Sequence, residues 1–179
     1  MAAGDGDRLE GEAVLIFEND PRQAGAYREL FEADGYVVQT PFPTDDVQQL
    51  CERIQPRLVL FDMAIWESDA AYVYGVLTGA QGFERPVIIA LCTLPHQVRR
   101  AKRFGADGIW IRGVDDAAGL PPLAGDLLAR RNDGTLKPRI PSTPLYFTSA
   151  VISSPTQADH CGPSWIFPQV ILCLFSMCG

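Results

Sequence analysis

Two apolar runs in this chain end on carboxylates. Ala13-Val14-Leu15-Ile16-Phe17 leads into Glu18-Asn19-Asp20, and Leu58-Val59-Leu60-Phe61 leads into Asp62. Runs this short, with no alternation of polar and apolar residues, read as strands covered on both faces. Strands of that kind belong to parallel sheets, where every carboxyl end lies at one edge, and ligands of open α/β folds bind in the crevice along that edge. The two runs would therefore deliver their acidic groups to one place, with Asp62 at its centre.

The rest of the first 131 residues supports the same architecture. Asp20-Pro21 combines a helix N-cap with the residue best tolerated in a first turn, and Ala24, Tyr27, Leu30 and Phe31 follow at helical spacing up to Gly35. Tyr36 to Gln39 is a short strand. Thr44, Asp45 and Asp46 cap a second helix with Val47, Leu50, Cys51 and Ile54 on its inner side, which Pro56 stops. After the strand at Leu58, Ser68 and Asp69 start a third helix that runs to about Leu77 or Ala80 and is closed by the region of Gly79 and Gly82. Pro86 to Leu91 is a fourth strand, Pro95 to Phe104 a fourth helix ended by Gly105, and Gly108 to Ile111 a fifth strand. A closing helix carries Leu123, Leu127 and Leu128; Pro121-Pro122 cannot lie deep inside it, so it begins near them. Five β-α units of this kind predict an α/β fold, a doubly wound five-stranded parallel sheet of flavodoxin-like order in three layers.

Composition narrows the function. With 22 acidic and 15 basic residues and a net charge of −7, a broad nucleic-acid-binding surface is not expected, because neutralising phosphates needs extended clusters of Lys and Arg. Its five cysteines form no C-x-x-C, and Met1 to Glu12 is polar and Gly-rich, without the apolar stretch of a signal peptide, so cytoplasmic residence with reduced thiols is expected. Residues 1–12 read as a disordered N-terminus, 13–131 as one domain and 132–179 as a poorly ordered tail. From Pro141 to Gly179 only Asp159 is charged, which marks a change of sequence type near Lys137-Pro138. The tail's last stretch from Trp165 is too short and too interrupted for an ordinary membrane span, and no basic residues accompany it as interfacial anchoring favours, so no membrane role is expected. An extension that packs on the domain or on a partner is the other reading of this tail.

Over about Ala13 to Arg131 the chain resembles the receiver domains of two-component response regulators. Glu18-Asn19-Asp20-Pro21 resembles the family's acidic cluster and proline after the first strand, Asp62 its phosphoacceptor aspartate, and Gly105-Ala106-Asp107 the turn before its fifth strand. The resemblance implies phosphoryl transfer from a histidine kinase or a histidine phosphotransfer protein to Asp62. It implies magnesium held by Glu18, Asn19 or Asp20 together with Asp62, because a phosphoryl group and a carboxylate nucleophile repel each other until a hard cation neutralises them. It also implies a homodimer or target surface on the fourth helix, fifth strand and fifth helix.

Several positions depart from the family pattern. Glu18 stands for an aspartate, and Asn19 brings one fewer negative charge, so magnesium binding is expected to be weak or absent. Leu91 occupies the position of the switch hydroxyl and Ile109 that of the switch aromatic, with Trp110 adjacent. Arg112 replaces a lysine that contacts phosphoryl oxygens, and Gly113 replaces the proline after it. An arginine fork is not equivalent to an ammonium in a tight site. The resemblance thus leaves two readings open: an atypical receiver phosphorylated on Asp62, or a pseudo-receiver that acts by protein contacts alone, with Arg112 and Asp62 as a salt bridge.

A flavodoxin-like small-molecule module is a third reading, weakened by the absence of Gly-x-Gly-x-x-Gly after the first strand. His96 and His160 have no ligand partners at metal spacing, and Cys161, Cys173 and Cys178 do not form the close pairs of structural zinc. The basic residues Arg99, Arg100, Lys102 and Arg103 on the fourth helix form a solvated face or a docking patch for an acidic partner.

Overall fold

The computed structural model describes residues 11–41, 46–65, 67–79 and 82–138. Thr44, Asp45, Ala80, the N-terminus up to residue 10 and the tail from residue 139 onward lie outside the described residues.

Five strands form one sheet: β1 (Ala13–Phe17), β2 (Val37–Gln39), β3 (Leu58–Asp62), β4 (Val87–Cys92) and β5 (Gly108–Ile111). Their order is β2-β1-β3-β4-β5 and every pairing is parallel, as the apolar runs predict. The helices are α1 (Pro21–Ala33), α2 (Val47–Ile54), α3 (Glu67–Gly79), α4 (Pro95–Phe104) and α5 (Leu120–Asn132). All residues of β1, β3 and β4 are buried, whereas β2 and β5, which lie at the edges, alternate between buried and half-buried positions. None of the helices among the described residues is long and apolar enough to cross a membrane.

Side chains of successive strand residues point to opposite faces, so the sheet divides the core in two. Leu15, Val59, Phe61 and Ile88 pack against α2, α3 and α4, while Ile16, Leu60, Ile89 and Leu91 pack against α1 and α5. Fully buried Tyr74 anchors the first half. Its ring stands edge-on to Phe61 at 4.8 Å and tilted to Phe104 at 5.1 Å, and burial pushes its hydroxyl pKa well above the ordinary tyrosine range.

Local signals act as the sequence suggests. Asp20 caps α1 by accepting from the Arg22 N–H at 2.9 Å, Asp46 caps α2, and Gly35 and Gly105 take the left-handed backbone needed past α1 and α4. Pro121 and Pro122 fall in the first turn of α5, where missing N–H groups do no harm. Two features differ from the sequence reading. A 3-10 turn at Ala117–Gly119 precedes α5, and α2 ends through Gln55 in a left-handed conformation (φ 52°). The Gln55 side chain stabilises that unusual backbone by donating to the carbonyls of Glu52 and Gly82.

β5 can approach β4 and α5 closely because it begins with glycine. A Cβ on Gly108 would stand 2.8 Å from Leu127 Cδ1 and 3.2 Å from Ile89 Cγ1, both inside the packed core. Gly108→Ala is expected to destabilise the domain by about 1–3 kcal/mol, the usual cost of overpacking, as measured by urea unfolding.

Candidate functional site

The carboxyl edge of the sheet assembles the site. Phe17 lies opposite Phe61 in the β1–β3 register, so Glu18, one residue beyond β1, stands beside Asp62 at the end of β3. Arg112 follows β5, two strands away from β3, a span of about 10 Å that only a long side chain crosses. It does cross. One guanidinium nitrogen of Arg112 donates to Asp62 Oδ1 at 3.2 Å, and the other is ion-paired with Glu18 Oε2. Its Nε donates to the hydroxyl of Tyr27 on α1 at 3.1 Å, and the guanidinium lies 5.9 Å from the Tyr27 ring centre.

These groups are withdrawn from water. Asp62 is 4% exposed, and the side chains of Glu18 and Arg112 are 1% and 15% exposed. Burial pushes the Glu18 carboxyl above its ordinary value against the opposing pull of the Asp20 N–H, and Asp62 adds to the rise while Arg112 offsets part of it. For Arg112, burial acts to lower the pKa, but Asp62, the Tyr27 hydroxyl and Glu18 outweigh it and the guanidinium is held charged. One cation thus serves two buried carboxylates and is itself fixed by a phenol.

The loop after Asp62 is held as firmly. Asp62 Oδ1 accepts from the Ala64 N–H at 2.9 Å, and the Met63 N–H donates to the Leu91 carbonyl. Arg100 reaches from α4 to donate to the carbonyls of Met63 and Ile65. The sequence reading placed Arg100 in an exposed basic patch with Arg99, Lys102 and Arg103. The structure turns it inward because the loop carbonyls lie within reach of its side chain, so it belongs to the site's frame rather than to the α4 surface.

The remaining candidates are dispersed. Asn19 and Asp20 are exposed, and Asp20 is engaged as the α1 cap. Leu91, paired with Asp62 across β3 and β4, is fully buried against the α1–α5 half of the core and offers no hydroxyl. Thr93, the first hydroxyl after Leu91 in the sequence, is exposed, and its N–H donates to Gln97 Oε1. Ile109 is half-buried, and Trp110 is buried in the core beneath Gly119. Gly113 adopts φ +77°, a conformation closed to proline, so the loop after Arg112 is built differently from a lysine-proline turn.

This arrangement does not present a magnesium cage. Magnesium keeps several waters and needs only one or two carboxylates, but here Glu18 and Asp62 already face a guanidinium that a metal would have to displace. Among the described residues there is no group of three or more His, Cys, Asp or Glu side chains placed to hold a metal ion. Beside the ion pair, Glu18 and Asn19 help line a cleft of about 480 Å³ that continues past Thr40 and Val47 to Ile65 and Tyr72.

Two site residues escape sequence reasoning. Tyr27 reads as an ordinary core position at helical spacing, and Arg100 as a surface charge; nothing local marks either as a partner of the acidic edge.

No protein-family model matches the chain, and no curated protein matches its sequence. Solved structures do match its fold. The signal receiver domain of a signal transduction histidine kinase from Syntrophus aciditrophicus is 23% identical, over 66% of this chain and 91% of its own, with a TM-score of 0.57. The receiver domain of a sensor histidine kinase from Pseudomonas aeruginosa PAO1, solved with a magnesium ion coordinated in its active site cleft, is 17% identical over 66% and 98%, with a TM-score of 0.58. A CheY-like response regulator receiver domain from Methanospirillum hungatei JF-1 is 15% identical over 70% and 99%, with a TM-score of 0.55. The likeness is one of fold: this chain has the fold of receiver domains.

Proposed function

We propose that the chain is a receiver-type signalling module that works through protein contacts, with Asp62 engaged in a permanent ion pair rather than serving as a phosphoacceptor. The observation that carries this reading is the Arg112 guanidinium between Asp62 and Glu18, tied down by Tyr27. An attacking carboxylate needs an accessible oxygen and a counter-ion for the incoming phosphoryl group. Here the carboxylate is buried and its counter-ion is a fixed side chain. With a leucine at the hydroxyl position and no ring at Ile109 to rotate, the usual means of reporting phosphorylation are missing as well.

The partners of such a module are a histidine kinase, a histidine phosphotransfer protein or a second copy of the chain. They would meet the face of α4, β5 and α5, to which the exposed Arg99 and Lys102 on α4 belong, with Leu94 at the start of α4 and Val114 after β5 exposing large apolar side chains. Aromatic or aliphatic anchors with a charged rim are what docking surfaces use.

Magnesium titration of the labelled protein, followed by amide NMR, tests the reading. With Arg112 in place, no saturable shifts are expected at Glu18, Asp62 or Met63 up to about 10 mM magnesium, because the cation must displace a bound guanidinium before it finds ligands. Saturation at those amides below about 1 mM would overturn the reading.

A second reading, a small-molecule-binding module, is favoured by the cleft beside Glu18. Its volume of about 480 Å³ lies in the range of ligand pockets. Absorbance of the purified protein tests it for chromophoric ligands such as flavin or a corrinoid.

A further inference from the structure

The sheet edge opposite Asp62 carries a second concentration of charge. Glu12, Arg57, Arg85 and Asp107 each lie within two residues of the start of a strand, so parallel geometry gathers all four there. The helix α5 runs back across the sheet and brings Arg131 to the same edge in its last turn. The three guanidiniums, together with Gln55, Pro56 and Glu84, line a cleft of about 190 Å³.

Their counter-ions are unequally shared. Arg85 is paired with buried Asp107 at 2.8 Å and also donates to the Gly105 carbonyl. Arg57 divides itself between Glu84 at 3.4 Å and Glu12 at 3.9 Å, and bonds Asn132. Arg131 donates to the Arg85 carbonyl and, among the described residues, has no ion pair. It is half-buried and lines the cleft with two other cations, and at this edge the Nε of Arg85 and the Oδ1 of Asp107 are buried without partners. Burial and then Arg85 pull the Arg131 pKa down, Glu84 and Asp107 offset part of that, and Arg57 adds a smaller lowering, so that the net direction is down. A half-buried guanidinium held by a carbonyl but by no direct ion pair keeps part of its desolvation cost, and an anion placed between the guanidiniums reduces it.

We infer that this cleft binds a small phosphate-type oxyanion between Arg131, Arg57 and Arg85. Guanidinium forks match the oxygens of phosphate in pairs, and a dianion with several acceptor oxygens answers more than one fork at once, which a single carboxylate does not. The cleft holds about six times a water molecule's share of liquid volume, enough for inorganic phosphate or a small phosphomonoester but not for a dinucleotide. Glu84, on the rim and paired with Arg57, limits the charge that the site accepts. The site lies at the opposite end of the strands from Asp62 and is independent of the chemistry there.

The test is a titration of the ¹⁵N-labelled full chain with inorganic phosphate, replacing sodium chloride at constant ionic strength and following amide and arginine Nε–H signals. Saturating shifts are expected around Arg57, Arg85 and Arg131, with a midpoint in the millimolar range or below. Arg131→Gln should weaken binding about tenfold, the loss of one charge-assisted contact, and Arg131→Lys should restore part of it. Arg57→Gln, on the more exposed wall, should weaken it independently, and Asp62→Ala should leave it unchanged. Shifts that grow linearly without saturating, an unchanged midpoint in both glutamine variants, or equal saturation by acetate would each overturn the proposal.

Discussion

Arg112→Met is expected to destabilise the domain by about 3–5 kcal/mol at neutral pH, the usual loss when one partner of a buried ion pair is removed. Methionine keeps the apolar stem against Tyr27 and removes only the charge and its donors. What remains is a pair of neighbouring carboxylates, Asp62 and Glu18, with almost no access to water. Folded proteins of this size are stable by about 5–15 kcal/mol, so the change consumes a large part of the total.

The loss should depend on pH in a defined sense. Burial already raises the Glu18 pKa in the native domain. Without Arg112 the folded state takes up a proton on the carboxylate pair more readily than the unfolded chain does. The deficit of the variant is therefore largest near neutrality and shrinks as pH falls through the raised folded pKa towards the unfolded carboxylate range. Urea unfolding of both proteins at a series of pH values measures this difference. A deficit below about 1 kcal/mol, or one independent of pH, would mean that the ion pair contributes no more than an exposed one.

Asp107→Ala has the second large expected effect, again about 3–5 kcal/mol. The Asp107 carboxylate is fully buried and accepts from the Ile88 N–H at 2.9 Å and from Arg85 at 2.8 Å, tying the start of β4 to the turn before β5. Alanine leaves the Arg85 guanidinium without its carboxylate beside Arg131, and leaves a backbone donor unpaired. Asp107→Asn can keep an oxygen at the Oδ2 position for Ile88 and Arg85, but it gives up the charge and places an amide donor where Oδ1 is buried without a partner, so its loss should be smaller than that of alanine but not negligible. Equal losses in the two variants would show that shape, rather than hydrogen bonding and charge, determines the role of this residue.

What could be read from the chain, and what could not, follows from the range of the interactions. Strands β1, β3 and β4 announce themselves as unbroken apolar runs because both of their faces are covered. Asp20-Pro21, Pro95 and Gly105 mark helix ends because caps act on backbone within a few residues. The meeting of Glu18 and Asp62 is legible once the strands are taken as parallel. The closure of the site is not. Arg112 and Tyr27 are 85 residues apart, and Arg100 lies 35 residues from Ile65, so no local spacing signals either contact. Gln55 in a left-handed turn is equally hidden, since its stabilising bond to Gly82 spans 27 residues. The arginine cleft escapes notice because Arg57, Arg85 and Arg131 look like isolated charges until the topology brings them to one edge.

Intact mass after incubation with magnesium and acetyl phosphate, for the natural sequence and for Asp62→Ala, tests the central claim most directly. Phosphorylation would proceed by attack of the Asp62 carboxylate on phosphorus with release of acetate. With Asp62 and Glu18 bound to Arg112, the expected result is an unchanged mass for both proteins under conditions that phosphorylate an ordinary receiver domain run alongside. A gain of one phosphoryl group that requires magnesium and is absent from Asp62→Ala would contradict the claim and make this chain a working phosphoacceptor.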